Sequence, residues 1–264
     1  MRNRGFAIGW GALASMALAA GGVACAQSKP QDTEVWTPVP PVVTPGTAPG
    51  AAPSDAIVLF DGKDLSEWVS VRDKSPAGWQ VEDGVMTVEK SRGNIKTRRA
   101  FGDYQLHLEW RIPEGITGSG QYRGNSGLFL ASTGTGDRGY EIQILDSYQN
   151  ETYVNGQAGA VYKQHPPLAN AARPPGEWQT YDIVWHAPRF SEDGSLAAPA
   201  RVTVIHNGVL VQDDVAFTGE TVFIGKPEYK AAHDRLPIKL QAHGDPSAPI
   251  SFRNIWVREL PPRS

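Results

Sequence analysis

No window of a dozen residues in this chain carries a convincing apolar repeat near 3.6, and this constrains the fold more than any other feature. Short runs alternate apolar with polar residues instead, the period-two signature of a strand with one dry face. Across 104–112, Tyr104, Leu106, Leu108 and Trp110 fall on one side, and Gln105, His107, Glu109 and Arg111 on the other. Asp83-Gly84 separates apolar runs at 79–82 and 85–88, and Asn207-Gly208 separates 202–206 from 209–211. Both dipeptides accept the positive φ of a tight hairpin turn. Further strands are expected at 57–60, 181–185, 238–242 and 250–257. Closely spaced strands punctuated by Gly, Pro and Asn-Gly predict an all-β fold, a β-sandwich or jelly roll.

The ends of the chain read differently. Residues 1–26 have a basic start (Arg2, Arg4), an apolar Ala/Gly-rich middle and small residues at Ala24-Cys25-Ala26, which together predict a secretory signal peptide. Cys25 leaves open a lipid anchor, although Gly22 stands where a lipoprotein signal usually has Leu. Either way the expected location is periplasmic or secreted, or anchored on a membrane through Cys25, with no transmembrane helix in the mature chain. Residues 27–54, with prolines at 38, 40, 41, 45, 49 and 53, predict an extended, disordered linker. One domain then fills 55–262. Cys25 is the single cysteine, so this domain holds no internal disulfide and no thiolate nucleophile. A net charge of -3 argues against a nucleic-acid partner.

The candidate site lies on the paired stretches Gly124-Asn125-Ser126-Gly127 and Gly139-Tyr140-Glu141-Ile142-Gln143-Ile144-Leu145-Asp146. Alternation buries Tyr140, Ile142 and Ile144 and sets Glu141 and Gln143 side by side on the other face, with Asp146 at the strand's rim. Charged residues have low strand propensity unless that face meets water or has a task. On 239–243, Lys239, Gln241 and His243 share a face opposite Leu240 and Ala242. Long loops at 111–127 and 146–173 border these strands and supply Tyr122, Arg123 and Lys163. His107 and His206 read as solvated members of ordinary amphipathic strands, and residues 187–200 as a surface insertion. No Gly-x-Ser-x-Gly elbow, phosphate loop or His-Glu-x-x-His helix is present.

At these residues the chain resembles the 3-keto-disaccharide hydrolase family. The resemblance is carried by Leu59-Phe60-Asp61-Gly62, Trp79-Gln80-Val81-Glu82-Asp83-Gly84, Gly124-Asn125-Ser126-Gly127 and Tyr140 to Asp146. It continues through Gly176-Glu177-Trp178-Gln179, His206-Asn207-Gly208, Leu240-Gln241-Ala242-His243-Gly244 and Phe252-Arg253-Asn254-Ile255. It implies a concanavalin A-like jelly roll whose concave sheet binds saccharide, and cleavage of 3-keto-glycosides. Ala242 departs from the polar residue that relatives often carry between Gln and His. The chemistry such a substrate invites is C2-proton abstraction, elimination at C1 and hydration. Glu141 and His243 are the expected catalytic pair, with Tyr122, Arg123, Asn125, Gln143, Asp146, Lys163 and Gln241 binding substrate. No ligand spacing in the sequence demands a cofactor, and a divalent cation held by Glu141, Asp146 and His243 stays open. The alternatives are a direct glycosidase with paired carboxylates and a non-catalytic carbohydrate-binding module.

Overall fold

The computed structural model describes residues 29–263; the predicted signal peptide and Cys25 lie outside them. Within 29–42 the one regular element is a 3₁₀ turn at Pro30–Thr33. The body that begins at Val43 is almost entirely β. In chain order its strands are β1 (Ile57–Phe60), β2 (Trp68–Ser70), β3 (Gln80–Glu82), β4 (Val85–Thr87), β5 (Ile95–Thr97) and β6 (Tyr104–Arg111). These are followed by β7 (Ser126–Phe129), β8 (Glu141–Ile144), β9 (Trp178–His186), β10 (Arg189–Phe190) and β11 (Leu196–Ala198). The last are β12 (Arg201–His206), β13 (Val209–Ala216), β14 (Lys239–Leu240) and β15 (Ser251–Glu259).

Two antiparallel sheets form the jelly-roll sandwich. The larger has eight strands, β13-β12-β9-β6-β15-β4-β3 with β1 also paired to β15. The smaller runs β2-β5-β14-β7-β8 and carries the candidate site. The hairpin turns form as the dipeptides require, with φ of 49° and 77° at Asp83 and Gly84 and 51° and 81° at Asn207 and Gly208. The expected insertion at 187–200 folds into the small hairpin β10-β11. β2 and β5 are too short to announce themselves by periodicity.

The alternation of β6 puts Leu106, Leu108 and Trp110 into the core against Leu128, Ile142 and Leu240 of the facing sheet. Two tyrosines bridge the layers. The Tyr104 hydroxyl donates to Leu130 O (2.7 Å), and the Tyr181 hydroxyl to Gln143 O (2.7 Å). Each such bond contributes about 1 kcal/mol. The Tyr181 bond also fixes the height of β8, the strand from which Glu141 projects.

Two polar positions differ from the sequence reading. His107 and His206 are buried rather than solvated, at 2% and 0% exposure. His206 Nε2 meets Gln179 Oε1 (3.2 Å), and burial lowers its pKa to about 4. His107 Nδ1 pairs with Asp182 (2.7 Å), its ring stacks on Trp256, and Gly50 lies against its Nε2. This end of the Pro-rich segment is not free linker, because Gly50 O accepts bonds from Asn254 Nδ2 and Trp256 Nε1, both 2.8 Å. A Cβ on Gly50 would come within 2.9 Å of His107 Nε2, so the strap lies flat only with glycine there.

Candidate active site

Three neighbouring strands place the site by register. Lys239 on β14 pairs with Phe129 on β7, and Phe129 with Glu141 on β8, so these three side chains cross the outer face of the sheet in one row. The next row on this face is Gln241, Gly127 and Gln143: Gly127 pairs with Gln143 and accepts the Gln241 N–H (3.0 Å). Gly127 leaves a hollow in the middle of that row. A Cβ there would lie 2.3 Å from Glu141 Oε1, so the motif glycine makes the space the carboxyl fills.

β8 is an edge strand, and the 145–173 loop covers it. Gln143 N–H donates to Ala160 O (2.9 Å), and Tyr162 N–H to Glu141 O (3.2 Å). Covering the edge satisfies its backbone groups. It also sets Tyr162 beside Glu141, and Tyr153 meets Tyr162 hydroxyl to hydroxyl at 2.7 Å.

Around these rows lies an open cavity of about 550 Å³, a size suited to one or two sugar rings. Its floor is Glu141, Gln143, Asn125 and Gln241, and His243 stands at one side. Gln121 and Tyr122 enter from the 111–125 loop, Asp137 from the β7-β8 loop, Tyr153 and Tyr162 from 145–173, and Thr221 and Phe223 from 217–238. Tyr122 and Phe223 are largely exposed at the mouth. Flat rings at a polar cavity's rim suit the apolar faces of a sugar.

Glu141 is 5% exposed, and its carboxyl has no hydrogen-bond partner among the described residues. Burial raises its pKa to about 8, aided by the Asp137 charge and opposed by Lys239. At neutral pH Glu141 therefore holds its proton and can give it up. His243 Nδ1 lies 3.0 Å from Asp245 Oδ2. Asp245 is buried, and burial alone would raise its pKa. Bonds from His243 and Ser247 and the Lys90 charge outweigh that and hold it at about 2. The Asp245 N–H also approaches Nδ1, at 3.2 Å, but the ionised carboxylate is the stronger partner, so it favours a proton on Nδ1 and leaves Nε2 as a base.

The amides form a connected set: Gln143 Nε2 donates to Asn125 Oδ1 (2.9 Å), and Asn125 Nδ2 to Gln121 O (2.9 Å). Gln241 Oε1 is buried with no donor among the described residues. The residue lines the cavity and is 6% exposed.

Of the nine residues expected from sequence, six line this cavity: Glu141, His243, Tyr122, Asn125, Gln143 and Gln241. Arg123, Asp146 and Lys163 do not. Arg123 Nε lies 2.7 Å from Asp146 Oδ2, and its Nη2 bonds Tyr148 O, so this ion pair braces a loop instead of facing substrate. Burial raises the Asp146 pKa, with Arg123 opposing. Lys163 Nζ donates to Phe223 O (2.6 Å) and lies over the Phe223 ring. The proposed cation triad is not assembled: Asp146 is spent on Arg123, and no three ligating side chains converge among the described residues.

The fold is thus a two-sheet jelly-roll sandwich with an acid, a histidine held by a carboxylate and a connected set of amides around one polar cavity. The 3-keto-alpha-glucoside-1,2-lyase-like domain family matches residues 55–258, and the chain belongs to that family. A 3-keto-disaccharide hydrolase of Bacteroides thetaiotaomicron is 26% identical over 157 residues, 48% of this chain and 51% of that protein. The match thus spans about half the length of that curated relative. A solved structure from Parabacteroides distasonis, described as a candidate glycosyl hydrolase, is 55% identical, with a TM-score of 0.81 over 88% of this chain and 97% of its own. A second structure from that organism, at 23% identity and TM-score 0.54, shares the fold.

Proposed function

We propose that this protein cleaves 3-keto-glycosides outside the cytoplasm by elimination followed by hydration. The observation that carries the reading is a buried, protonated Glu141 in the same cavity as a His243 oriented by Asp245. A ketone at C3 acidifies the hydrogen on C2. His243 Nε2 removes it, and the C–H electron pair forms an enediolate across C2 and C3. Those electrons return to make a C1–C2 double bond as the C1–O bond breaks, and the departing oxygen takes the Glu141 proton. Water then adds at C1 and a proton at C2, giving 3-keto-glucose. In the Tyr153–Tyr162 pair one hydroxyl donates to the other, which leaves one O–H near Glu141 to donate to the developing oxyanion. The export signal expected in residues 1–26 supports the location. The test is incubation with 3-keto-glucosides and their unoxidised parents, with and without chelator. Release from the keto sugars alone is the expected result.

One observation favours a second reading. Asp137 lines the same cavity and raises the Glu141 pKa through its charge, so a second carboxylate is present that strand periodicity did not reveal. Paired carboxylates could hydrolyse an ordinary glycoside directly. Cleavage of the unoxidised parents would select that mechanism.

A further inference from the structure

Asp137 sits at the tip of a loop with little core of its own, between Gly136 and Arg138, which are exposed. Two side chains from elsewhere in the chain, one on β14 and one just before β5, hold that tip. Lys239 on β14 is fully buried, and its Nζ donates to Gly136 O and to Arg138 O, both 2.7 Å, so one ammonium grips the carbonyls on either side of Asp137. The same Nζ lies 3.9 Å above the centre of the Phe129 ring, in the row that ends at Glu141. Asn94 completes the hold: its Nδ2 donates to Asp137 Oδ1 (2.9 Å), and its Oδ1 accepts from Ala242 N–H (2.8 Å). Asp137 Oδ2 has no protein partner among the described residues, and the residue lines the cavity.

Burying a lysine is unfavourable unless its charge is used. Here two carbonyls and an aromatic face use it. A fold needing only a filled position would place an apolar residue in the row.

We infer that Lys239 is a positioning residue of this cavity, gripping the 131–139 loop so that Asp137 stands as its second carboxylate and accepts a hydrogen bond from a hydroxyl of the bound sugar. The inference rests on the saccharide reading and adds what holds the sugar on that side. The groups that face Glu141 are Asp137, Lys239 and the Tyr153 and Tyr162 hydroxyls. Around Lys239 stand Asp137, Glu141, Lys96 and Glu220. Burial lowers the Lys239 pKa to about 8, so at neutral pH most of its charge is kept and the grip holds.

The test is a double-mutant cycle with D137A and K239M, read as the affinity for 3-keto-glucose by calorimetry and as kcat/KM on a 3-keto-glucoside. If Lys239 acts through Asp137, each variant weakens both readings about tenfold and the double variant is no worse than the poorer single. Amide exchange in 133–138 rises in K239M while β7 and β8 stay protected. K239Q, which keeps a donor, replaces K239M if the latter fails to fold. Multiplying effects, near a hundredfold in the double variant, overturn the inference, as does an affinity unchanged by D137A. Wild-type protein that binds 3-keto-glucose with the coupled pattern but never turns over would sink the proposed reaction and leave the positioning role standing.

Discussion

The substitution E141Q should stabilise the protein while abolishing its turnover, and the stabilisation should grow with pH. Glu141 titrates near 4.5 in an unfolded chain and at about 8 in the fold. An acid whose folded pKa is raised leaves stability intact below the unfolded value. Stability is then lost as pH rises toward the folded value, because only the unfolded chain can ionise freely. Each unit of difference is worth about 1.4 kcal/mol. Between pH 5 and pH 8 the wild-type protein should therefore lose on the order of 3 kcal/mol relative to E141Q. Glutamine has the same shape and no charge, and the other titrating groups cancel in the difference. Urea unfolding of both proteins at the two pH values, compared through midpoints at equal m, measures this. A stability difference that does not change with pH would refute a protonated, desolvated Glu141, and with it the assignment of that residue as proton donor.

Other consequences follow from the same geometry. If Glu141 donates the proton, kcat should fall as pH rises through about 8, visible in a pH–rate profile; a flat alkaline limb contradicts it. D245N leaves His243 without its ionised partner, so kcat should fall about a hundredfold or more with little change in KM. G127A drives a methyl into the space of Glu141 Oε1 and should cost about 1–3 kcal/mol of stability along with activity, read by thermal melting and turnover.

The architecture was legible where local rules are strong. Asp83-Gly84 and Asn207-Gly208 set their turns whatever surrounds them, and alternation in β6 and β8 put the correct side chains in the core. Much of the floor of the site followed from the same period, since Glu141 and Gln143 are outward positions on β8 and Gln241 keeps the outward alternation just past β14, one strand away across β7. Among residues delivered by loops, Tyr122 and Asn125 were legible from their Gly-rich segment, but others were not. Thr221 and Phe223 reach the cavity because a distant segment folds over it, and Asp137 because its loop turns back over the sheet, and no spacing in the chain records either. Tyr162 had a trace, a run of small residues before it, and Asp245 another, in the Gly-Asp turn after His243. Arg123 and Asp146 were misplaced because each satisfies the other across a loop, a pairing that periodicity does not report. The segment 43–54 read as linker from its prolines, yet one carbonyl at Gly50 meets two side-chain donors and ties it to the sheet.

The proposed elimination requires that the C2 hydrogen leave during the reaction. Turnover of a 3-keto-glucoside in D2O, with the product examined by mass spectrometry within the first few turnovers and against a blank without protein, reads this out. One deuterium at C2 of the released 3-keto-glucose is predicted, because C2 is reprotonated from solvent after elimination. Product that keeps its original hydrogen there would contradict the account and point to direct displacement at C1.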